Sequence, residues 1–203
     1  MKHVFSGRMT RRTAALARKL RRDHRGVAAV EFAMIAPLMF FLFVGCIEFS
    51  QALTVDRRVT QAASACADLI ARAPAAGLTV AEVDGQLRII ESLMRPYDSS
   101  RLNVKIVSVK AKDAGGGALQ YVVDWSRDST GATPYVRNST YAAIPDGLLA
   151  AGESVIIAES TYNYAPLIMH YFLTSAFDLS EKFYLKPRNA TCVPLPPEIT
   201  NCI

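Results

Sequence analysis

Histidine is scarce in this 203-residue chain, and the familiar catalytic signatures are missing. There are three histidines: His3 and His24 in a basic N-terminal stretch, and His170 alone in "LIMHYF". No HExxH, paired CxxC, Walker glycine loop or GxSxG occurs, so zincin-type metal sites, phosphate-cradling loops and nucleophile elbows are not proposed by any local spacing. No pair of carboxylates stands at a spacing that suggests acid–base work. The expectation is a protein that is not an enzyme, with no cofactor and no bound metal. An enzyme would need a site assembled from scattered acids and hydroxyls.

Acidic residues are also sparse in two places where their absence carries information. Residues 1–26 hold nine Lys or Arg against one acid, Asp23. From Val27 to Ile47 the only charged side chain is Glu31. Those 21 residues, as a helix, would span roughly 31 Å, close to the ~30 Å hydrocarbon core of a bilayer. Long apolar runs are otherwise lacking, so the chain reads as one span and not several. Lys and Arg flanking a span mark its cytoplasmic side. The basic leader therefore predicts a cytoplasmic N-terminus and an exported remainder, periplasmic or extracytoplasmic. The chain's formal charge of +5, less the leader's +8, leaves −3 from Val27 onward. Nothing after the leader forms a second basic face or an RNA-binding signature, so a nucleic-acid partner is not expected.

Beyond the apolar run, Phe49, Leu53, Val59, Ala62, Ala63, Cys66, Leu69, Ile70 and Ala73 recur mainly at three- and four-residue steps. Asp56, Arg57, Arg58, Gln61 and Asp68 fall between them, as in an amphipathic helix. We expect one continuous helix of about 45 residues from Val27 to Ala73, ended by Pro74 and Gly77. A second helix is announced by Thr79 and Glu82, which have capping-box spacing, and is stopped by Pro96.

The period then changes to two. "LNVKIVSVK" puts Leu102, Val104 and Ile106 on one face, and "LQYVVDW" puts Leu119, Tyr121, Val123 and Trp125 on one face. Asp113 to Ala118 ("DAGGGA") reads as the hairpin connection between them. Glu153 to Tyr164 is expected as a third strand and Lys182 to Lys186 as a short fourth, with Ser126 to Gly152 the least regular region. The fold class expected is α+β: a long membrane-spanning helix, then a small exported domain with an antiparallel sheet. The organisation expected is a leader (1–26), a transmembrane helix (27–48), an exported helical extension (49–76) and an α+β domain (77–203).

Of the four cysteines, Cys192 and Cys202 flank the Pro-rich "CVPLPPEITNC" and could pair across that short loop in an oxidising compartment. Four reduced thiols is the alternative. The apolar run itself admits three fates. A signal peptide could be cut after "SQA", before Leu53, although 16 apolar residues from Phe32 to Ile47 are long for that purpose. A lipoprotein signal could end at Cys46. Cleavage on the cytoplasmic side, before the run, would leave the span attached, and it alone gives Glu31 a role.

"RGVAAVEFAMIAPLMFFLFVGCIEF" resembles the N-terminus of the TadE/TadG-like proteins, minor pseudopilins of the tight-adherence (Tad, Flp) branch of the type IV pilus family. The residues that carry this resemblance are Gly26 after the leader, Glu31 and Phe32, Pro37 within the span, and Glu48 and Phe49 at its end. It continues weakly at "ESTYNYAPL" and "YLKPR". The resemblance implies an inner-membrane, single-pass protein, processed by a prepilin peptidase between Gly26 and Val27, with Glu31 as the fifth mature residue. It implies as partners that peptidase, the major pilin and other minor pseudopilins, the assembly platform and the lipid bilayer. Glu31 and Phe32 would serve subunit assembly, and Pro37 would kink the helix. The modest length leans toward the TadE-like role. Translation starting at Met9 would shorten the leader without altering this reading. The competing expectation is an uncleaved signal anchor with an exported ligand- or partner-binding domain.

Overall fold

The computed structural model describes residues 26–141, 144–145, 147–166, 176–197, 199 and 202. His170 lies outside the described residues. The chain divides into two units, Met1–Ile47 and Glu48–Ile203.

Helix α1 runs over Val27–Ala71, with Pro37 inside it. In the first unit its side chains are mostly exposed: Val30, Phe32, Met34, Leu38, Phe40 and Phe43 are all large, apolar and uncovered. In the second unit α1 carries a buried stripe of Val55, Val59, Ala62, Ala63, Cys66, Ala67 and Ile70. The expected stripe is corrected at its edges. Phe49, Leu53 and Leu69 are exposed. At about 100° per residue, Phe49 and Leu53 turn to one flank of the stripe and Leu69 to the other. Small residues dominate the buried side of α1, so its backbone can approach the sheet closely.

After a turn that includes Gly77, helix α2 occupies Val80–Glu91. It starts with the expected capping box: Glu82 N donates to Thr79 Oγ1 at 3.3 Å, and Thr79 N donates to Glu82 Oε2 at 2.7 Å. These bonds satisfy backbone N–H groups that the first helical turn leaves orphaned. Val83, Leu87 and Ile90 form its buried face. A 3-10 turn, Ser92–Met94, precedes Pro96, and a second, Ser99–Arg101, leads into the sheet.

The sheet is four antiparallel strands in the order β2-β1-β3-β4: β1 Leu102–Gly115, β2 Ala118–Asp128, β3 Ser154–Tyr164 and β4 Phe177–Leu185. The hairpin turn is tighter than expected, because β1 continues to Gly115, which pairs with Ala118. β4 is also longer, beginning at Phe177 and not at Lys182. One sheet face packs on α1 and α2 through Leu102, Val104, Ile106, Ile156, Ala158 and Tyr162. The other face holds a second core of Val107, Val109, Ala111, Val123, Val155 and Ile157, covered by Tyr141, Ile144 and Leu149 of the irregular region.

Trp125 is a second correction. It does not share a face with Tyr121 and Val123; it is buried in the helix-side core while Val123 belongs to the other. Ser108 pairs with Trp125 and Val109 with Val123, so Asp124 is an extra residue in β2. A β-bulge of this kind inserts one residue and reverses the facing of everything beyond it.

The C-terminal tail closes the helix-side core. Val193, Leu195 and Ile199 are buried there, and Leu195 and Ile199 exchange backbone hydrogen bonds.

Candidate functional site

Two regions hold the residues singled out by the sequence: the start of α1 and the point where α1 leaves its apolar run.

Gly26 sits immediately before α1, exposed, with no atom of the described residues beyond its chain neighbours within 4 Å of where a Cβ would be. Nothing among the described residues therefore demands glycine there. Val27 opens the helix and Glu31 follows one turn later on the same side, since residues four apart are neighbours on a helix surface. Glu31 and Phe32 are both exposed. The helical assignment continues through Pro37 without interruption. α1 is long and apolar enough over part of its length to cross a membrane. The structure thus brings Val27, Glu31, Phe32 and Pro37 onto one helical segment, directly after Gly26, whose apolar side chains are mostly uncovered.

At the other end of the apolar run, Glu48 is buried and its carboxylate accepts a hydrogen bond from the Tyr164 hydroxyl. Tyr164 is buried too, and its hydroxyl pKa is raised, first by burial and then by the nearby Glu48 charge. This contact ties the last residue of β3 to α1 within the second unit. Gln51, one turn further along α1, lines a cleft of about 440 Å³ with Tyr97, Arg101, Tyr162 and Tyr164. The sequence flagged Glu48 and the tyrosines separately; their meeting depends on strand register, which no local pattern encodes.

Cys192 and Cys202 are bonded to each other, with Cα atoms 6.4 Å apart. Cys46 is exposed on α1, while Cys66 is buried, and burial pushes the Cys66 thiol up to about 12. A thiol that hard to ionise is a poor nucleophile.

One polar cluster of the second unit was not legible in the sequence. Glu159 on β3 accepts hydrogen bonds from the hydroxyls of Tyr135 at 2.8 Å and Tyr141 at 2.5 Å, and pairs with Lys182 Nζ at 2.8 Å. Burial raises its pKa, but the Lys182, Tyr141 and Tyr135 bonds outweigh that and hold the carboxyl below the usual range. Every bond in it links the irregular region or β4 to β3, so it fastens the cover of the second core. Asp84 and Arg127 fasten the opposite face with a two-pronged pair, 2.7 and 2.8 Å, between α2 and β2. Among the described residues, no group of three or more His, Cys, Asp or Glu side chains could hold a metal ion.

Among the described residues, the architecture is therefore that of one apolar helix long enough to cross a membrane, continuing into an α+β domain. Residues 26–68 match the family model described as TadE-like protein, a family of pilus assembly. The match begins at Gly26, and it supports involvement in Tad pilus assembly and a single-pass anchor. No curated protein and no solved structure matches the chain.

Proposed function

We propose that this protein is a minor pseudopilin of a Tad-type pilus, cut by a prepilin peptidase between Gly26 and Val27 and then assembled through its apolar helix. The observation that carries this reading is the TadE-like match starting at Gly26, coupled with Glu31 as the only charge from Val27 to Ile47.

An ionised acid within a bilayer costs about 3 kcal/mol on insertion scales, and a free α-amine at Val27 would carry a similar penalty. Cleavage after Gly26 creates that amine four residues from Glu31. In a monomer the two can pair along one helical turn. In an assembly, Glu31 of one subunit takes the amine of the next, which fixes register along the fibre axis because an unpaired buried charge is costly. The uncovered apolar residues around them, Phe32 among them, supply the packing surface. Pro37 removes one helical N–H and weakens the ladder inside the span, easing departure from the lipid. The leader stays in the cytoplasm, the domain from Glu48 lies outside the inner membrane, and the Cys192–Cys202 bond forms in that oxidising space. Partners in this reading are the peptidase, the major pilin, other minor pseudopilins and the assembly platform.

N-terminal sequencing and intact mass of the protein from its native membrane, with the peptidase present and then deleted, test the reading. A peptidase-dependent terminus at Val27 is expected. A terminus at Met1 or Met9 in both strains replaces it with an uncleaved anchor, and one at Cys46 or Leu53 with a signal sequence.

A further inference from the structure

The two edges of the sheet are finished differently. Along β2 the irregular region supplies backbone partners: Val123 N donates to Ser139 O, Asn138 N donates to Val123 O, and Tyr141 N donates to Tyr121 O. β4 is the other outermost strand, and among the described residues no backbone group bonds to its outer side. An open edge presents a row of N–H and C=O groups to which another strand can pair. Over Phe177–Leu185 that row is nine residues long.

The side chains beside this edge form an apolar strip with one charge in it. Phe177, Leu179, Glu181, Phe183 and Leu185 stand opposite Tyr164, Tyr162, Ser160, Ala158 and Ile156, which puts them on the helix-facing side of the sheet. Phe177 is 46 % exposed and Phe183 37 %. Phe183 and Leu185 line a groove of about 580 Å³ together with Leu93 and with Gln61, Ser64 and Ala65 of α1. Asp68 and Arg188 also border it, and they are bonded to each other. The charges on the opposite side of β4 are matched as well: Asp178 accepts from Asn163 Nδ2 at 2.7 Å, and Lys182 pairs with Glu159. Glu181 is the exception. Among the described residues its carboxylate has no ion pair and no hydrogen bond.

A lone carboxylate in an apolar edge acts as a filter. A wholly apolar strand laid on β4 would strip water from Glu181 and give it nothing in return. A strand with Lys or Arg at the facing position would pair it. A second copy of β4 fails this requirement. In an antiparallel, two-fold pairing, facing residues share one side of the joined sheet, so Glu181 would meet Phe177, Leu179, Glu181, Phe183 or Leu185 and never a cation. We infer that β4 is the docking edge for an extended segment of a different protein, apolar at alternate positions and carrying one Lys or Arg opposite Glu181. The segment joins the sheet as a fifth strand. Backbone bonds to β4 supply affinity, while the Glu181 pair and the groove beside Phe183 and Leu185 supply selection. Every group involved belongs to the second unit, so the inference stands apart from the processing and membrane reading of the start of α1.

The probe is a fluorescein-labelled, end-capped nine-residue peptide that alternates valine with threonine and has lysine in place of the central valine. Its binding to the full chain in detergent micelles is read by fluorescence anisotropy. Alternate residues of an added strand turn their N–H groups toward the edge they pair with. N-methylation at the odd positions or at the even positions should therefore abolish binding in one case and spare it in the other. Glu181→Lys should weaken the lysine peptide by about fivefold and strengthen its glutamate-centred counterpart by a similar factor, the scale of one cross-strand charge pair. Circular dichroism and the urea midpoint of Glu181→Lys should stay unchanged. No binding to the unsubstituted chain overturns the inference, as do equal effects of the two methylation patterns or indifference to Glu181→Lys. A stable dimer in light scattering that the peptide does not dissociate gives the edge to a second copy and overturns it too.

Discussion

The indole N–H of Trp125 donates to the backbone carbonyl of Val193 across 2.6 Å of protein interior. Sixty-eight residues separate the two, and their bond joins the bulged strand β2 to the tail that the Cys192–Cys202 link closes. Replacing Trp125 with Phe keeps a ring in the core but leaves the Val193 carbonyl buried without this donor. An unsatisfied buried polar group costs about 1–3 kcal/mol, and the smaller ring adds a cavity. Trp125→Phe should therefore lower stability by about 2–4 kcal/mol in urea unfolding of the detergent-solubilised protein, read by far-UV circular dichroism. Reducing the disulfide should add a further loss in both proteins, since the tail then loses a covalent tie and keeps the burial of Val193, Leu195 and Ile199 with hydrogen bonds such as Leu78 N to the Pro194 carbonyl.

Two glycines separate conformational need from mere presence. Gly77 has φ +87°, and a Cβ there would stand 2.3 Å from the Pro194 carbonyl oxygen, which already accepts from Leu78 N. Gly85 lies inside α2 with open space around its Cβ position. Gly77→Ala should destabilise by at least 2 kcal/mol, from left-handed strain and displacement of the tail. Gly85→Ala should stabilise by about 1 kcal/mol, the helix-propensity difference between the two residues. Matched urea titrations check both, and opposite signs are the expected result.

The sheet's outer fastening predicts a pH dependence with two limbs. Burial raises the Glu159 pKa, but bonds from Lys182, Tyr141 and Tyr135 outweigh it, so the folded value lies below the unfolded one. Asp84 is depressed as well, chiefly by its bond from Arg127. Groups depressed in this way add stability that is full above their unfolded pKa near 4 and is lost as pH falls through the folded value. Tyr135 is pushed up to about 12 by burial and then by Glu159, and Tyr141 is raised further for the same reasons. Their contribution is full below the unfolded tyrosine pKa near 10 and is lost as pH rises beyond it. Urea midpoints should hold steady between about pH 5 and 9 and fall on either side. Glu159→Gln should flatten the acid limb and weaken the alkaline one, because it removes a charge from each account.

Much of this architecture is legible because it is local. Thr79 and Glu82 announce the start of α2 by spacing alone, and the helical period from Val55 to Ile70 survives small residues because 3.6 residues per turn is a property of the backbone. Trp125 was misplaced for an equally physical reason. Alternation specifies a face only while the register holds, and one extra residue at Asp124 reverses it; nothing in "VVDWS" marks a bulge. Leu53 and Leu69 were misassigned because an apolar residue on a helix flank costs little when exposed. The Glu159 cluster needed partners 18 to 24 residues away, brought together by an irregular segment with no periodicity to read. The start of α1 is the opposite case: Gly26, Glu31 and the apolar run sit in one short stretch, so the residues proposed for processing and assembly are proposed without any long-range contact.

That stretch permits a test in which folding and processing separate. Among the described residues a side chain at Gly26 meets nothing within 4 Å, and the backbone there does not require positive φ, so Gly26→Asp should leave helix insertion and the α+β domain unchanged. A peptidase that must fit the backbone at the cleavage point closely would not accept the added carboxylate. In cells the substituted protein should remain in the membrane at full precursor mass, resistant to carbonate extraction, and piliation should be lost. Glu31→Gln should behave differently: the precursor is cut at Val27, but the mature protein fails to enter assemblies because the new amine has no charged partner. Moving the acid one turn, as Glu31→Gln with Ile35→Glu, should not restore assembly, since the amine's counter-charge would then lie about 6 Å further along the helix. Normal maturation of Gly26→Asp would sink the assignment of the cleavage site, and normal assembly of Glu31→Gln would leave cleavage standing but remove the charge pairing as the source of register.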